Sequence, residues 1–282
     1  MMFYEVAVKS VNATSYNLIQ PNKASYNIKN INPMKSLVAQ KILIKNKELY
    51  DQIAEQFSDS RYKVWPEFEY FKGYLQNGQD LLDLGCGNGR LLELLKDYKI
   101  NYLGIDFSAK LIAEAKQDWP NSDFVISDIL DLNLKEKYDL VFLVATLHHI
   151  PSQKLREKVL LNVKSVLKPG GKLLMTNWNL WQKRYLKYII KYTLLKIAET
   201  EKEINGIKPQ DLDMQDVFIP WQKKYQRYIH AFTENNIASL LKKTGFEIIK
   251  NVSNTRNIIT VAKVKEQTEK EKRKIAKLLT KV

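Results

Sequence analysis

The heptapeptide from Asp83 to Gly89, DLGCGNG, sets Gly85, Gly87 and Gly89 on alternate positions directly after an apolar run. Glycine lacks a Cβ, so such a stretch turns sharply and lets a ligand approach its backbone. Acids then stand where the next two apolar runs end: Asp106, followed by Phe107, and Asp128, followed by Ile129. A carboxylate at a strand end can accept hydrogen bonds from both hydroxyls of a ribose. Taken singly, each aspartate has a plainer reading as a helix cap or turn residue. Asp83 suits either orienting backbone amides or facing a cationic group. Two of the three histidines, His148 and His149, are adjacent at the end of the fourth apolar run. Their alternative is a pair of buried structural rings.

These residues need strands and helices to carry them. From Gln79 onward, apolar runs alternate with helical patterns: LLDLGCG, YLGIDFS, DFVISDI, YDLVFLVATL and, after a KPGG turn, KLLMTNW. The intervening NGRLLELLKDY, SAKLIAEAKQDW and SQKLREKVLLNVKSVL have helical spacing. This rhythm predicts an α/β fold with a parallel sheet and helices on both faces. A helix at TENNIASLLKKTG and two strands, FEIIKNV and NIITVAKV, close the pattern as a hairpin. Ahead of it, residues 35–57 space their apolar positions as an amphipathic helix, and Pro66 suits the first turn of a second one.

The glycine spacing separates two kinds of nucleotide site. A dinucleotide fingerprint reads G-x-G-x-x-G, and here the third glycine comes one residue early. The stretch resembles motif I of Rossmann-like class I methyltransferases, which implies S-adenosyl-L-methionine as cofactor and a mostly parallel seven-stranded sheet with an antiparallel final hairpin. In that family Asp128 would hold the adenine amino group. Further motifs, YDQIAEQFSDSRYKVWP, LVATLHHIPS, GGKLLMTNWNLWQ and IPWQKKYQRYIHAFTENNIASLLKKTGF, resemble those of the tRNA wobble-uridine carboxymethyl methyltransferases. The likeness spans roughly residues 48–263. It implies esterification of the carboxylate of a 5-carboxymethyluridine, with tRNA as partner and, as in some members, a small activating protein. The likeness implies His148 and His149 in the active site. A cation that steers the carboxylate suits this chemistry, and Arg61 can bind it in a fork, its plainer reading being a loop arginine paired with Asp59. Tyr62 and Trp65 suit either stacking on a base or packing against the entry helix, and by the family motif Arg227, Tyr228 and His230 would meet substrate near the mouth.

Composition agrees with an anionic partner. Lys and Arg number 45 against 31 Asp and Glu, a formal charge of +14. A genome rich in A and T would also raise the lysine content. The run from Gln182 to Lys196 holds Lys183, Arg184, Lys187, Lys191 and Lys196 with no acid, interleaved with Tyr185, Tyr188 and Tyr192. Cations there suit phosphates and tyrosines suit unpaired bases. The other reading is an amphipathic helix whose lysines face water. Cys86 is the single cysteine, so an internal disulfide is excluded and a reducing, cytoplasmic setting is expected. Neither a membrane span nor a metal is expected.

The expected divisions are a polar arm at 1–33, a helical cap at 34–78, and a cofactor core at 79–179. A basic insertion at 180–222, the rest of the core at 223–264 and a charged terminal helix at 265–282 follow. Two rivals stand beside the tRNA reading: a methyltransferase for a small metabolite, and a non-catalytic cofactor- and RNA-binding subunit.

Overall fold

The computed structural model describes residues 34–59, 65–201, 203–222 and 224–265; the arm expected at 1–33, Arg61, Tyr62 and all but the first residue of the helix expected at 265–282 lie outside them. In chain order the strands are β1 (Asp80–Leu84), β2 (Asn101–Asp106), β3 (Asp123–Ile126), β4 (Tyr138–Val144) and β5 (Leu167–Trp178). Then come β6 (Asp216–Trp221), β7 (Tyr225–His230), β8 (Phe246–Ser253) and β9 (Asn257–Val264). The helices are α1 (Ser36–Asp59), α2 (Leu92–Leu95), α3 (Ala109–Asp118), α4 (Gln153–Val166), α5 (Lys183–Ile197) and α6 (Glu234–Thr244).

Seven strands form one sheet in the order β3-β2-β1-β4-β5-β9-β8. The first five are parallel, and the β8–β9 hairpin adds antiparallel to β5, as the sequence pattern predicts. The central strand β4 is apolar on both sides because both faces are covered. Val141 and Leu143 pack with α4 and α6 residues such as Val163 and Leu241, while Leu140 and Phe142 pack with Phe68, Phe71 and Ile112. Helix ends follow from local chemistry. The Ser108 hydroxyl accepts from Leu111 N–H at the start of α3, and Thr233 with Asn236 forms a capping box at α6, which Gly245 ends at φ +86°.

Three elements differ from the sequence expectation. The segment starting at Pro66 forms two 3₁₀ turns, Pro66–Tyr70 and Lys72–Tyr74, rather than an α-helix. Phe68 and Phe71 are three apart and both buried, and a three-residue turn stacks such positions on one face. The helix expected after the glycine turn is α only over Leu92–Leu95, because Leu92, Glu93 and Leu94 N–H donate three residues back. Finally, the basic insertion expected over 180–222 ends in a strand. β6 pairs antiparallel with β7 in a separate two-stranded sheet, so the expected division at 222/223 falls inside a hairpin. Pro220 lies within β6, and a two-stranded ribbon has only edges, where proline is tolerated. This hairpin, α5 and the start of α1 share one apolar cluster, in which Ile42, Leu186, Ile189, Phe218 and Tyr228 are buried.

Candidate active site

The strand order reverses between β1 and β4, the place where open α/β sheets leave a crevice at the carboxyl ends. A cleft of about 410 Å³ lies there. Its floor is the glycine turn after β1, its far side the ends of β2 and β3, and its near wall Thr146, His149 and Trp178. Residues of α1, including Asn46, Tyr50 and Phe57, cover it. Gly85 has φ +74°, and a Cβ there would meet Thr146 Cγ2 at 2.5 Å, so both the turn and the neighbouring wall require glycine. Ala145, in the same wall, holds φ +53° although it carries a Cβ, and its N–H donates to Thr176 O at 3.0 Å.

Two buried carboxylates occupy the floor. Asp83 is 1% exposed; its Oδ2 accepts from the Tyr102 hydroxyl at 3.1 Å, while Oδ1 is enclosed without a partner. Burial pushes its pKa up to about 7. Asp106 accepts from Gly87 N–H through Oδ2 and from Ser108 N–H through Oδ1, both at 2.9 Å. Burial raises it to about 6 against the pull of those amides. Each carboxylate oxygen keeps a further lone pair for a ligand hydroxyl. Asp128 is exposed on the cleft and also accepts from Leu130 N–H at 2.8 Å, so the capping reading of that residue is realised. Phe107 and Ile129 line the cleft beside these acids.

The two histidines part company. The Nδ1 of His149 faces Tyr228 O at 3.0 Å, and since a carbonyl only accepts, Nδ1 carries the proton. Its Nε2 faces the Tyr50 hydroxyl at 2.9 Å. His149 is therefore held from α1 and β7 together, with its ring on the cleft. His148 is fully buried behind it, rings 4.4 Å apart, and accepts from Trp178 N–H at 3.3 Å. Burial keeps His148 well below the usual histidine range, so its ring is neutral. The expected direct role for His148 is thus corrected: it does not line the cleft but fixes the backbone of Trp178, which does.

Further expectations are sorted by strand parity. Arg227 and Tyr228 are successive residues of β7 and point to opposite faces, so they cannot share one substrate surface. Tyr228 is fully buried against Phe218, with ring centres 6.0 Å apart, and reaches the site only through its carbonyl. On the same face His230 bonds Asp216 Oδ1 at 2.7 Å and borders a separate cleft beyond α4. Arg227 instead lies over the Trp178 ring, its Cζ 4.7 Å from the centroid. Trp65 lines the main cleft with the Arg90 guanidinium 4.3 Å from its ring centre. Gly89 does not line it; a Cβ there would press on Trp119 and Phe124, so this glycine serves helix–strand packing.

Lys183 and Arg184 are exposed on the first turn of α5, outside the cleft. Lys196, counted with them in sequence, is buried and its Nζ donates to the carbonyls of Asp213, Met214 and Asp216 at 2.8–2.9 Å. Burial lowers it to about 8. It is a strut between α5 and β6 rather than a surface cation. Sequence reasoning missed Asn46, Tyr50 and Phe57 as cleft residues, although the YDQIAEQF motif contains two of them. Their helical spacing reads as ordinary core packing. Among the described residues no helix is long and apolar enough to cross a membrane, and no group of three or more His, Cys, Asp or Glu is placed to hold a metal ion.

Residues 53–251 match the family model described as a methyltransferase domain. The chain is 30% identical over 164 residues to a tRNA (carboxymethyluridine(34)-5-O)-methyltransferase of Arabidopsis thaliana, covering 58% of this chain and 39% of that one. It is 35% identical over 136 residues to the Saccharomyces cerevisiae protein of the same name, covering 48% of each. The chain thus spans about half or less of those relatives' length. In fold it is similar to a solved S-adenosylmethionine-dependent methyltransferase from Methanosarcina mazei, with a TM-score of 0.57, 22% identity, and coverage of 72% of this chain and all of that one.

Proposed function

The chain belongs to the methyltransferase domain family, and from that premise we propose that it transfers a methyl group from S-adenosyl-L-methionine to the carboxylate of a 5-carboxymethyluridine at the tRNA wobble position. The observation that carries the reading is the cleft itself. An acid-floored glycine turn faces a wall of His149 and Trp178, in a chain similar to two proteins named for that reaction.

The cofactor fits the floor. Asp83 Oδ1 is a buried acceptor without a partner, and Asp106 has acceptor capacity left at the end of β2. The bound cofactor supplies an electrophilic methyl on a positively charged sulfur. Asp83 and Asp106 hold polar and cationic parts of it, and Phe107 and Ile129 offer apolar walls for its base. The acceptor carboxylate is ionised at neutral pH, so no residue need remove a proton. The protein's work is then placement and partial exclusion of water. Tyr50, Phe57, Trp65 and Trp178 provide aromatic walls for that purpose. His149, its Nδ1 bonded to Tyr228 O, borders the acceptor with a ring of fixed orientation. Exposed Lys183 and Arg184 are suited to RNA phosphates. The same reading puts the activity in the cytoplasm, with tRNA as partner.

The test is incubation with S-adenosylmethionine and an anticodon stem-loop carrying 5-carboxymethyluridine, followed by nucleoside mass spectrometry. A gain of one methyl on that nucleoside is expected. Cofactor binding with no gain on any such RNA removes this substrate.

A further inference from the structure

Among the described residues, Arg227 is a buried cation without an anion. Its side chain is 6% exposed, and its Nε and Nη1 are enclosed with no hydrogen-bond partner. None of the ion pairs among the described residues includes it. The nearest buried acid on that hairpin, Asp216, is already committed to His230 at 2.7 Å. Elsewhere the protein does pair its buried cations: Arg156 meets Asp213 at 3.0 Å, and Lys196 has three carbonyls. The exception stands behind the wall of the active cleft, in contact with Trp178. The Arg227 guanidinium lies 4.7 Å from the centre of the Trp178 ring, and Trp178 is part of the cleft wall. The next residue, Tyr228, anchors His149 through its carbonyl, so Arg227 and His149 are fixed to the same strand.

A desolvated charge left unpaired is costly, and a site retains one where a ligand supplies the opposite charge. A guanidinium stacked on an indole keeps its in-plane N–H groups free for a fork on two oxygens. We propose that Arg227 is the group that binds the acceptor's carboxylate, selecting a carboxymethyl nucleoside over its uncharged carboxamide counterpart. This rests on the substrate reading above and assigns its specificity to one side chain. Burial, assisted by the Arg227 charge, keeps His148 neutral, so that ring does not add a competing cation.

The test uses the full chain with S-adenosylhomocysteine and two RNA hairpins, one carrying 5-carboxymethyluridine and the other 5-carbamoylmethyluridine. Affinities are read by fluorescence anisotropy for wild type, Arg227→Gln and Arg227→Lys, alongside cofactor affinity and melting temperature. Wild type is expected to favour the carboxylate RNA by about tenfold or more, the scale of one charge-assisted contact. Arg227→Gln should bind the two RNAs about equally, with cofactor affinity unchanged and melting no lower than wild type, because it removes an uncompensated charge. Arg227→Lys should keep part of the preference. A Gln variant that retains the full preference, or that melts well below wild type, overturns the assignment and leaves the carboxylate reading intact. A wild-type protein with no preference and no ester product overturns the substrate reading itself.

Discussion

Replacing Asp83 by Asn tests the physics of the cleft floor without reference to any substrate. Asp83 is 1% exposed, and burial raises it to about 7. Between the ordinary aspartate value and about 7, the folded protein holds this group protonated while the unfolded chain ionises it. Folding takes up a proton in that interval, so the stabilising contribution is complete at low pH and is lost as pH rises to 7. The loss runs at about 1.4 kcal/mol per pH unit, which is about 3 kcal/mol from pH 5 to 7, and then levels off. Asn cannot ionise, so Asp83→Asn removes this slope. Its amide still accepts from the Tyr102 hydroxyl but buries extra donors, a roughly pH-independent cost of about 1–3 kcal/mol. The assay is guanidinium unfolding of both proteins without cofactor at half-unit steps from pH 5 to 8.5. Subtracting the two curves cancels the histidines, including His148 and His230, whose lowered values work in the opposite direction at the acid end. The stability of the variant relative to wild type should climb steadily to pH 7 and then flatten. A difference that is level across the range would refute the claim that Asp83 is held as a raised, unsatisfied acid.

Three other variants separate parts of the account. Gly85→Ala combines a left-handed φ with a Cβ 2.5 Å from Thr146, so it should abolish cofactor binding in calorimetry and cost about 1–3 kcal/mol of stability. The paired change Lys183→Ala and Arg184→Ala should leave melting unchanged while weakening RNA binding and reducing its salt dependence by about 1–2 in the log–log slope. Lys196→Met should do the reverse, lowering stability by about 3 kcal/mol through three unpaired carbonyls while sparing the salt slope. Equal behaviour of the exposed pair and the buried lysine would sink the distinction drawn between them.

The core was legible because its signals are local. Alternating apolar runs and helical spacing specify β1 to β5 and the closing hairpin, and the glycine turn announces itself by type and spacing. What escaped depends on which way a side chain points after long-range packing. The basic run of α5 looks uniform in sequence, yet Lys196 is drawn inward by the carbonyls of Asp213, Met214 and Asp216, at the start of a strand absent from the sequence pattern. His148 and His149 are adjacent, and only the three-dimensional position of Tyr228 O and Tyr50 decides which ring faces the cleft. Tyr50 itself shows the apolar spacing of a core helix and gives no sign of the hydroxyl's partner. The motif around Arg227 was recognised as a unit, whereas strand alternation sends its members to different faces.

The central claim is that a methyl group passes from S-adenosylmethionine to a carboxylate on RNA, and the bond formed can be read by its lability. Hairpins with and without 5-carboxymethyluridine are incubated with the protein and methyl-labelled cofactor, purified, and treated with mild alkali. The account predicts label only on the carboxymethyl RNA, released entirely as volatile methanol, as an ester requires. Label that survives alkali, or that appears equally on the unmodified hairpin, would contradict it.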